Sequence, residues 1–287
     1  MKFYTTILAL CSLYGASAFT MQAPNRASTT ALKSAIEEDV DYLNMFPQEI
    51  AMQRIEGGGT VRTYQMPPDA DRCQYVLKSE GRPLKCIVEL WLGPLRRTHA
   101  MDVSVEDGSK TPFKATLKFR PGGPQVLRVK SSKGNHLPLS AGVYVPDAAR
   151  RAELKANTED LWERSEKTRI QGQSVGGGGS AVRLFPIAGE VEAVQVLIWA
   201  RISKKSCKAM IEVLQGPNNI KQVYDLHLGG GSQPYHVVIE TPGEGTVLRM
   251  KNKKFVEDGL FEVVVLPYKW SYASTRSMGG AAPEWWQ

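Results

Sequence analysis

The chain has 287 residues, which is long enough for two domains of ordinary size. A hydrophobic content of 42% with 23% charged residues is typical of a soluble globular protein. The formal net charge of +7 suits contact with acidic partners, but it is too small and too dispersed to indicate nucleic-acid binding.

Residues 1–18 have the pattern of a secretory signal, with Lys2 ahead of an apolar run and small residues at its end. The apolar run is too short to span a bilayer, and since no later segment reaches that length we expect no membrane span. Residues 19–33 begin with Phe19 and continue with hydroxyl and basic residues but no acid. This leader resembles the bipartite signals of plastid proteins in algae with secondary red plastids; simple secretion is the alternative.

Residues 34–53 have helical character, with three acids early and apolar residues before Pro47, which we expect to divide the helix into two pieces. The next segment holds an internal repeat. Lys85–Pro94 returns as Lys208–Pro217 with Lys, Glu, Gly and Pro in the same places, and 123 residues separate Glu89 from Glu212. That separation is too long for a solenoid repeat and indicates a duplicated domain.

The two copies are predicted at residues 54–146 and 169–270, and each opens with a glycine run followed by an arginine. Both contain short alternating runs divided by Gly, Pro, Asn and Asp at a spacing of about ten residues, which indicates antiparallel strands. An Ala-, Arg-, Glu- and Leu-rich helix is predicted between them at 147–168, with a narrow apolar stripe that lies against one domain. The sequence therefore predicts a mainly β fold of two tandem, duplicated β-sandwich-like domains with short linking helices.

Cysteine usage indicates a reducing compartment, because three cysteines remain after removal of the signal, and an odd number is a poor disulfide framework. Cys73 and Cys86 align with Val194 and Ala209 of the other copy, so we expect them to behave as small core residues. The histidines lack the spacing of metal ligands, and we expect them to face solvent or to lie at strand edges. They are His99, His136, His227 and His236.

No segment carries a recognisable catalytic signature, so we predict a protein that is not an enzyme and has no cofactor or metal. The glycine runs 57–59, 176–179 and 229–231 lack the Lys-Ser or Lys-Thr of a phosphate loop, and they are interpreted as turns and entry loops. Basic pairs at strand ends are interpreted as solvated charge, and too few aromatic residues accompany them for nucleic-acid binding.

The two faces of the repeated strand are the most informative feature for function. One face carries Cys86, Val88 and Leu90, and its counterpart in the second copy is equally apolar. The other face carries Ile87, Glu89 and Trp91, matched by Met210, Glu212 and Leu214. A half-exposed sandwich strand is expected to alternate more cleanly. Either helices of the same chain or another subunit cover this second face, and the sequence does not choose between them.

The C-terminal segment 271–287 is loose, small-residue sequence that ends in Trp285 and Trp286. Two exposed tryptophans are costly in water, so we expect them to dock on a neighbouring molecule or to fold back on their own domain. Six residues are thus candidate assembly contacts: Trp285, Trp286, Trp91, Leu214, Glu89 and Glu212.

The plastid-type leader, the two copies with glycine-run entries and the tryptophan-bearing end together resemble the pyrenoid shell proteins of diatoms. The resemblance implies a structural protein that assembles with itself, and with related shell subunits, into a thin sheet around the Rubisco-filled pyrenoid. The Rubisco matrix would lie next to this sheet at the pyrenoid periphery in the plastid stroma, and the sheet would limit CO2 leakage and support fixation.

Two other classes of function stay open at this point. One is a monomeric β-sandwich binding module of the plastid, for a sugar or for an acidic protein. The other is an enzyme whose site is too dispersed in sequence to recognise.

Overall fold

The computed structural model describes residues 45–47, 49–81, 83–172, 181–200, 206–229, 235–254 and 259–271. The signal segment 1–18, the transit segment 19–33, most of the lead 34–53 and all but the first residue of the tail 271–287 lie outside the described residues. The predicted mainly β, sandwich-like fold is confirmed, because the described chain forms sixteen strands and one helix.

The first copy supplies eight strands. They are β1 Met52–Ile55, β2 Val61–Gln65, β3 Arg72–Ser79, β4 Leu84–Leu92, β5 Arg96–Val105, β6 Phe113–Lys118, β7 Gln125–Ser131 and β8 Leu139–Tyr144. The helix α1 Ala148–Arg164 comes next, and the second copy then supplies eight more strands. They are β9 Thr168–Ile170, β10 Val182–Pro186, β11 Val191–Trp199, β12 Cys207–Gln215, β13 Ile220–Leu228, β14 Tyr235–Glu240, β15 Thr246–Asn252 and β16 Phe261–Trp270. Each strand of the second copy is thus the counterpart of the strand eight places earlier.

The strands form two antiparallel sheets of eight, and each sheet runs through both copies. Sheet A has the order β1-β8-β3-β6-β14-β11-β16-β9, and sheet B has the order β10-β15-β12-β13-β5-β4-β7-β2. In both sheets the order within one copy mirrors the order within the other. The sequence treats the copies as tandem sandwich domains, whereas in the structure they share two continuous sheets.

Two strand pairs join the copies. In sheet B, β5 pairs with β13 through seven residue pairs, with Asp102 opposite its own counterpart Asp225. In sheet A, β6 pairs with β14 through three residue pairs, with Ala115 opposite its counterpart Val237. Because equivalent residues face each other at both joints, a pseudo-twofold axis passes through the two sheets at these pairs.

Alternation along the strands builds the core between the sheets. In β7 and its counterpart β15 every second side chain is buried, as expected for strands with one face on the core. The core crosses the joint between the copies, where the hydroxyl oxygens of Tyr75 and Tyr235 lie 2.7 Å apart. The repeated Gly-Pro turns have a simple reason, because Gly93 and Gly216 both have positive φ, which other residues rarely adopt.

Helix α1 lies on the outer face of sheet A. It begins at the N-cap Asp147, whose side chain accepts a hydrogen bond from the Arg150 N–H at 2.8 Å. Its buried residues Leu154 and Leu161 pack with Ala193 and Val238 of sheet A, and Met45 and Phe46 join the same cluster. The narrow apolar stripe of the sequence is thus the stripe that contacts the sheet.

The helical character expected over 34–53 is wrong for its last residues. Met52–Ile55 form β1, which pairs with β8 through four residue pairs. Exposed residues with a buried Ile55 fit a short edge strand, and pairing with β8 overrides the local helical preference.

Candidate assembly interface

The repeated strand occupies the same position in both copies. β4 and β12 lie in the interior of sheet B, on either side of the joint formed by β5 and β13. The face with Cys86, Val88 and Leu90 is buried in the core, as predicted from the alternation. The opposite face is therefore the outer face of sheet B.

The sequence leaves open whether helices of the same chain cover the outer face of sheet B, and the structure shows where the described helix packs. The buried residues of α1 pack on β11, β14 and β16, which all belong to sheet A. Among the described residues, no core cluster joins α1 to β4 or β12. The helix thus does not cover the second face of the repeated strand.

The residues of this face repeat about the pseudo-twofold axis. One row of paired residues runs across all eight strands of sheet B in the order Val182, Lys251, Met210, Asp225, Asp102, Ile87, Lys130 and Val61. The row reads the same from both ends in residue type, apart from the exchange of Met for Ile. Two carboxylates meet at its centre, and burial followed by the charge of Asp225 raises the pKa of Asp102.

Glu89 is tied to neighbours on this face. It accepts hydrogen bonds from Arg97 Nη1 at 2.8 Å and from the Trp91 indole N–H at 3.1 Å, and Arg128 Nη1 lies 3.9 Å away. Burial acts to raise the pKa of Glu89, but the bonds from Arg97 and Trp91 outweigh it and lower the pKa. The carboxylate is thus charged and held in place.

Glu212 has the same role in the second copy. Its carboxylate accepts from Arg249 Nε at 2.5 Å and lies 2.8 Å from Lys251 Nζ. Burial again acts to raise the pKa, and the bonds from Arg249 and Lys251 more than offset it. Glu89 and Glu212 are in different copies on equivalent strands, so the structure does not bring them together as an acid–base pair.

The other candidate contacts differ in exposure. The Trp91 ring is half-buried beside Glu89, whereas Leu214 is only 7% exposed. Trp285 and Trp286 lie outside the described residues. Of the two apolar candidates that the structure describes, Trp91 therefore offers the larger accessible surface.

Lysines on this face were missed by sequence reasoning. Lys85 and its counterpart Lys208 are exposed on the outer face of β4 and β12. Lys130 is on β7, between β4 and the edge strand β2. Within the described ranges none of these three takes part in an ion pair, whereas Arg128, Arg249 and Lys251 are paired with the two glutamates. Alternation within each strand was the available signal, but the neighbouring strands had to be known before the lysines could be placed together.

Buried histidines correct a prediction from the sequence. His99 and His236 lie in the interior, not in solvent or at strand edges, and are 2% and 1% exposed. Burial lowers the pKa of each to about 3, so both rings are neutral at ordinary pH. His236 stacks on Phe46 with 5.6 Å between ring centroids, which makes it part of the packing beneath the N-terminal segment.

Cys73 and Cys86 are buried and free, as predicted, and Cys207 is buried and free as well. Burial raises the pKa of the Cys73 thiol to about 12, which leaves it unreactive. Over the described part of the chain, no three His, Cys, Asp or Glu residues come close enough to hold a metal ion. No helix there is long and apolar enough to cross a membrane.

A cleft of about 490 Å³ opens where the copies meet. Charged residues such as Glu106 and Lys221 line it, and these two form an ion pair at 2.8 Å. None of the described residues that line it is aromatic, so these residues offer no ring on which a sugar could stack.

The chain also matches a known protein family. The sequence pattern of the family described as "Diatom pyrenoid shell protein" matches residues 46–267, well over half of the chain. The chain belongs to the diatom pyrenoid shell protein family. The match begins at Phe46, beside His236, and ends in the last strand, so both copies of this shell-family chain are covered.

The shell family is named for a structure in the chloroplast and not for a reaction, and it is not a known enzyme family. No curated protein matches this chain. Two solved structures show weak likeness. The N-terminal CBM22-1-CBM22-2 tandem domain of Paenibacillus barcinonensis Xyn10C is 11% identical, covering 79% of this chain and 95% of its own, with a TM-score of 0.20. The Lactobacillus farciminis oxalate decarboxylase formate complex is 9% identical, covering 82% and 89%, with a TM-score of 0.14. Neither likeness bears on function.

Proposed function

We propose that this chain is the subunit of a self-assembling protein sheet that encloses the Rubisco-containing pyrenoid in the plastid stroma. The sheet limits loss of CO2 from the pyrenoid and so supports CO2 concentration and fixation. Membership of the diatom pyrenoid shell protein family supports the shell role. The partners are further copies of this chain, with related shell subunits beside them and the Rubisco matrix next to the sheet.

The observation that carries the proposal is the pseudo-twofold arrangement of two continuous sheets. A single chain already joins the two copies edge to edge. The edge strands at one end of the joined sheets, β1 and β2, are the counterparts of the edge strands at the other end, β9 and β10. A subunit with two quasi-equivalent ends can make repeated contacts that extend in a plane instead of closing into a small oligomer.

The thinness of a shell fits the same geometry. Two sheets packed face to face are about 10 Å apart, and one helix layer adds a further ~10 Å, so a single layer of subunits is thin. A layer of this kind grows through the rims of the sandwich.

Two measurements test this function. The purified protein is expected to sediment as large assemblies and to show sheets or tubes in negative-stain images. A fluorescent fusion in the diatom is expected to mark a thin envelope round the pyrenoid. A fusion spread through the stroma, or a monodisperse monomer at high protein concentration, would contradict the proposal.

The alternative is a monomeric binding module for a sugar or an acidic protein. The exposed lysines on the outer face of sheet B favour the acidic protein over the sugar, since no described residue that lines the cleft is aromatic. A stable monomer that binds an acidic plastid protein in one-to-one stoichiometry would support this alternative over the shell.

A further inference from the structure

The sandwich has two open ends, and each end presents one edge strand from each sheet. The first end carries β1 of sheet A and β2 of sheet B, and the second end carries β9 of sheet A and β10 of sheet B. The edge strands are counterparts in the duplication, because β1 matches β9 and β2 matches β10. Among the described residues no strand pairs with the outer side of any of the four, so their outward backbone N–H and C=O groups are open to pairing there.

Exposed apolar side chains gather at these ends. The described residues include seven large hydrophobic side chains that are exposed, and four of them lie on edge strands. They are Met52, Val61, Val182 and Leu184. Leu184 in the middle of β10 is 61% exposed. On the inner side, Tyr64 and its counterpart Phe185 close the core at each end and are only half-buried.

The edges lack most of the usual protection against pairing. β2 and β10 each pair with their inner neighbour through five consecutive residues without a bulge. Neither contains lysine, although each has one arginine, and β10 ends in Pro186. Monomeric proteins commonly blunt such edges with lysines, prolines or bulges within the strand.

The strand count allows a simple repeat. Neighbouring strands are antiparallel throughout both eight-stranded sheets, so the first and last strands of each sheet run in opposite directions. A second copy that continues the sheet, turned only as the twist of the sheet requires, therefore places its β10 antiparallel to β2 of the first copy. The same placement brings its β9 antiparallel to β1, so one repeated movement serves both sheets.

We propose that subunits of the shell join end to end in this way, with β2 and β1 of one copy paired to β10 and β9 of the next. The proposal rests on the proposed function, and names the contact that extends the sheet in one direction. The joint between the two copies within one chain indicates how large such a contact needs to be, since seven residue pairs in sheet B and three in sheet A hold the copies together. β2 offers five residues and β9 three, which is a contact of similar extent.

Head-to-tail joining is favoured over joining of like ends. Pairing of β2 with β2 would bring together Val61 and Thr63 from both copies, whereas pairing of β10 with β10 would bring together the more apolar Val182 and Leu184. Joining of like ends thus gives one strong and one weak kind of contact, and assembly would favour dimers of the subunit. Head-to-tail joining makes every contact the same and leaves an open row.

The first test is a charge at the second end. Leu184→Lys puts an ammonium group where the next copy would pack, and because Leu184 is exposed the isolated subunit is expected to keep its thermal midpoint. The protein concentration needed for assembly is expected to rise about tenfold or more, since burial of one leucine accounts for at least that factor. Leu95→Lys is the matched control, because Leu95 is 91% exposed in the turn after β4 and away from both ends. It is expected to assemble like the wild type.

The second test is cross-linking with a short bis-maleimide. It uses Thr63→Cys and Leu184→Cys in a Cys11→Ser background, where the three remaining native cysteines are buried. The two sites lie seven strand spacings apart in one chain, or roughly 34 Å, so the reagent cannot join them within a chain. The double variant is expected to give a ladder of covalent oligomers, and a mixture of the single variants is expected to give dimers. Each single variant alone is expected to stay monomeric on a denaturing gel.

The outcomes separate this contact from the function it serves. Assemblies that form normally in Leu184→Lys and show no cross-linked ladder would overturn the end-to-end contact and leave the shell role standing. Cross-linked dimers from either single variant alone would show like-end joining and also overturn it. A wild-type protein that forms no assemblies would overturn the shell role itself.

Discussion

The two outer faces of the sandwich differ sharply although the sheets behind them have the same strand order. The outer face of sheet A carries α1 and residues 45–46, packed on β11, β14 and β16. No helix of the described residues lies on the outer face of sheet B, and its apolar residues share the surface with lysines and paired glutamates. A layer built from such subunits in one orientation has two chemically distinct sides.

The difference arises from the helix between the copies. Among the described residues α1 is the one helix; it lies between β8 and β9, and its buried residues pack mainly against strands of the second copy. Within these residues the pseudo-twofold symmetry holds in the strands and is broken by the helix. The covered face therefore contributes stability through packing, whereas the bare face relies on charge pairs that its own side chains make.

The largest expected effect is on the covered face. Trp162→Ala removes a ring that is 1% exposed and packs on Leu197 and Val264. We expect a loss of about 3–5 kcal/mol in the free energy of unfolding, measured by urea denaturation. Ile87→Ala on the bare face is the control and is expected to cost clearly less, because Ile87 is half-buried. Equal losses would mean that the faces are not packed differently.

The pH dependence of stability is the second property expected to differ between the two faces. His236 beneath Phe46 has a pKa of about 3, so the unfolded chain binds more protons than the folded chain below its ordinary pKa of about 6.5. Its share of stability is complete above that pH and is lost as the pH falls toward 3. From pH 7 to pH 5 the loss is about 2 kcal/mol from this residue, and the buried His99 adds a similar share.

Unfolding at several pH values measures this effect. His236→Gln is expected to reduce the slope of stability against pH. His227→Gln on the bare face is expected to change it less, because His227 is only half-buried. An NMR titration that places the His236 pKa near 6.5 would contradict the burial of this ring.

The smallest expected effect concerns the charge pairs of the bare face. Glu212→Gln leaves Arg249 and Lys251 without their carboxylate, and we expect a loss of about 1–2 kcal/mol in the free energy of unfolding. Glu106→Gln breaks an ion pair whose carboxylate is 61% exposed, so its loss is expected to stay below about 0.5 kcal/mol. Thermal denaturation of both variants at one salt concentration compares them, and an unchanged Glu212→Gln would rule out a structural role for the pair.

Much of this architecture follows from local sequence patterns. The Lys85–Pro94 repeat shows the duplication, alternation gives the buried face of β4, and Gly93 marks a turn that needs positive φ. Such features depend on residues close together in the chain. The short β1 is an exception, because its pairing with β8 decides its structure.

The merging of the two sheets was not predictable in this way. It depends on the pairing of β5 with β13, where Asp102 faces Asp225. The sequence of neither strand indicates that its partner lies more than a hundred residues away. The burial of His99 has the same origin, since only the assembled core places that ring against Tyr235. The open ends were hidden too, because an edge strand is defined by the neighbour it does not have.

Two-dimensional averaging of the assembled sheets in electron micrographs tests the central claim most directly. Subunits joined through their ends predict a repeat of about 38 Å across the strands, which is eight strand spacings, in a layer one sandwich thick. Dispersed single particles, or an ordered sheet without a repeat near that value in any direction, would contradict the account.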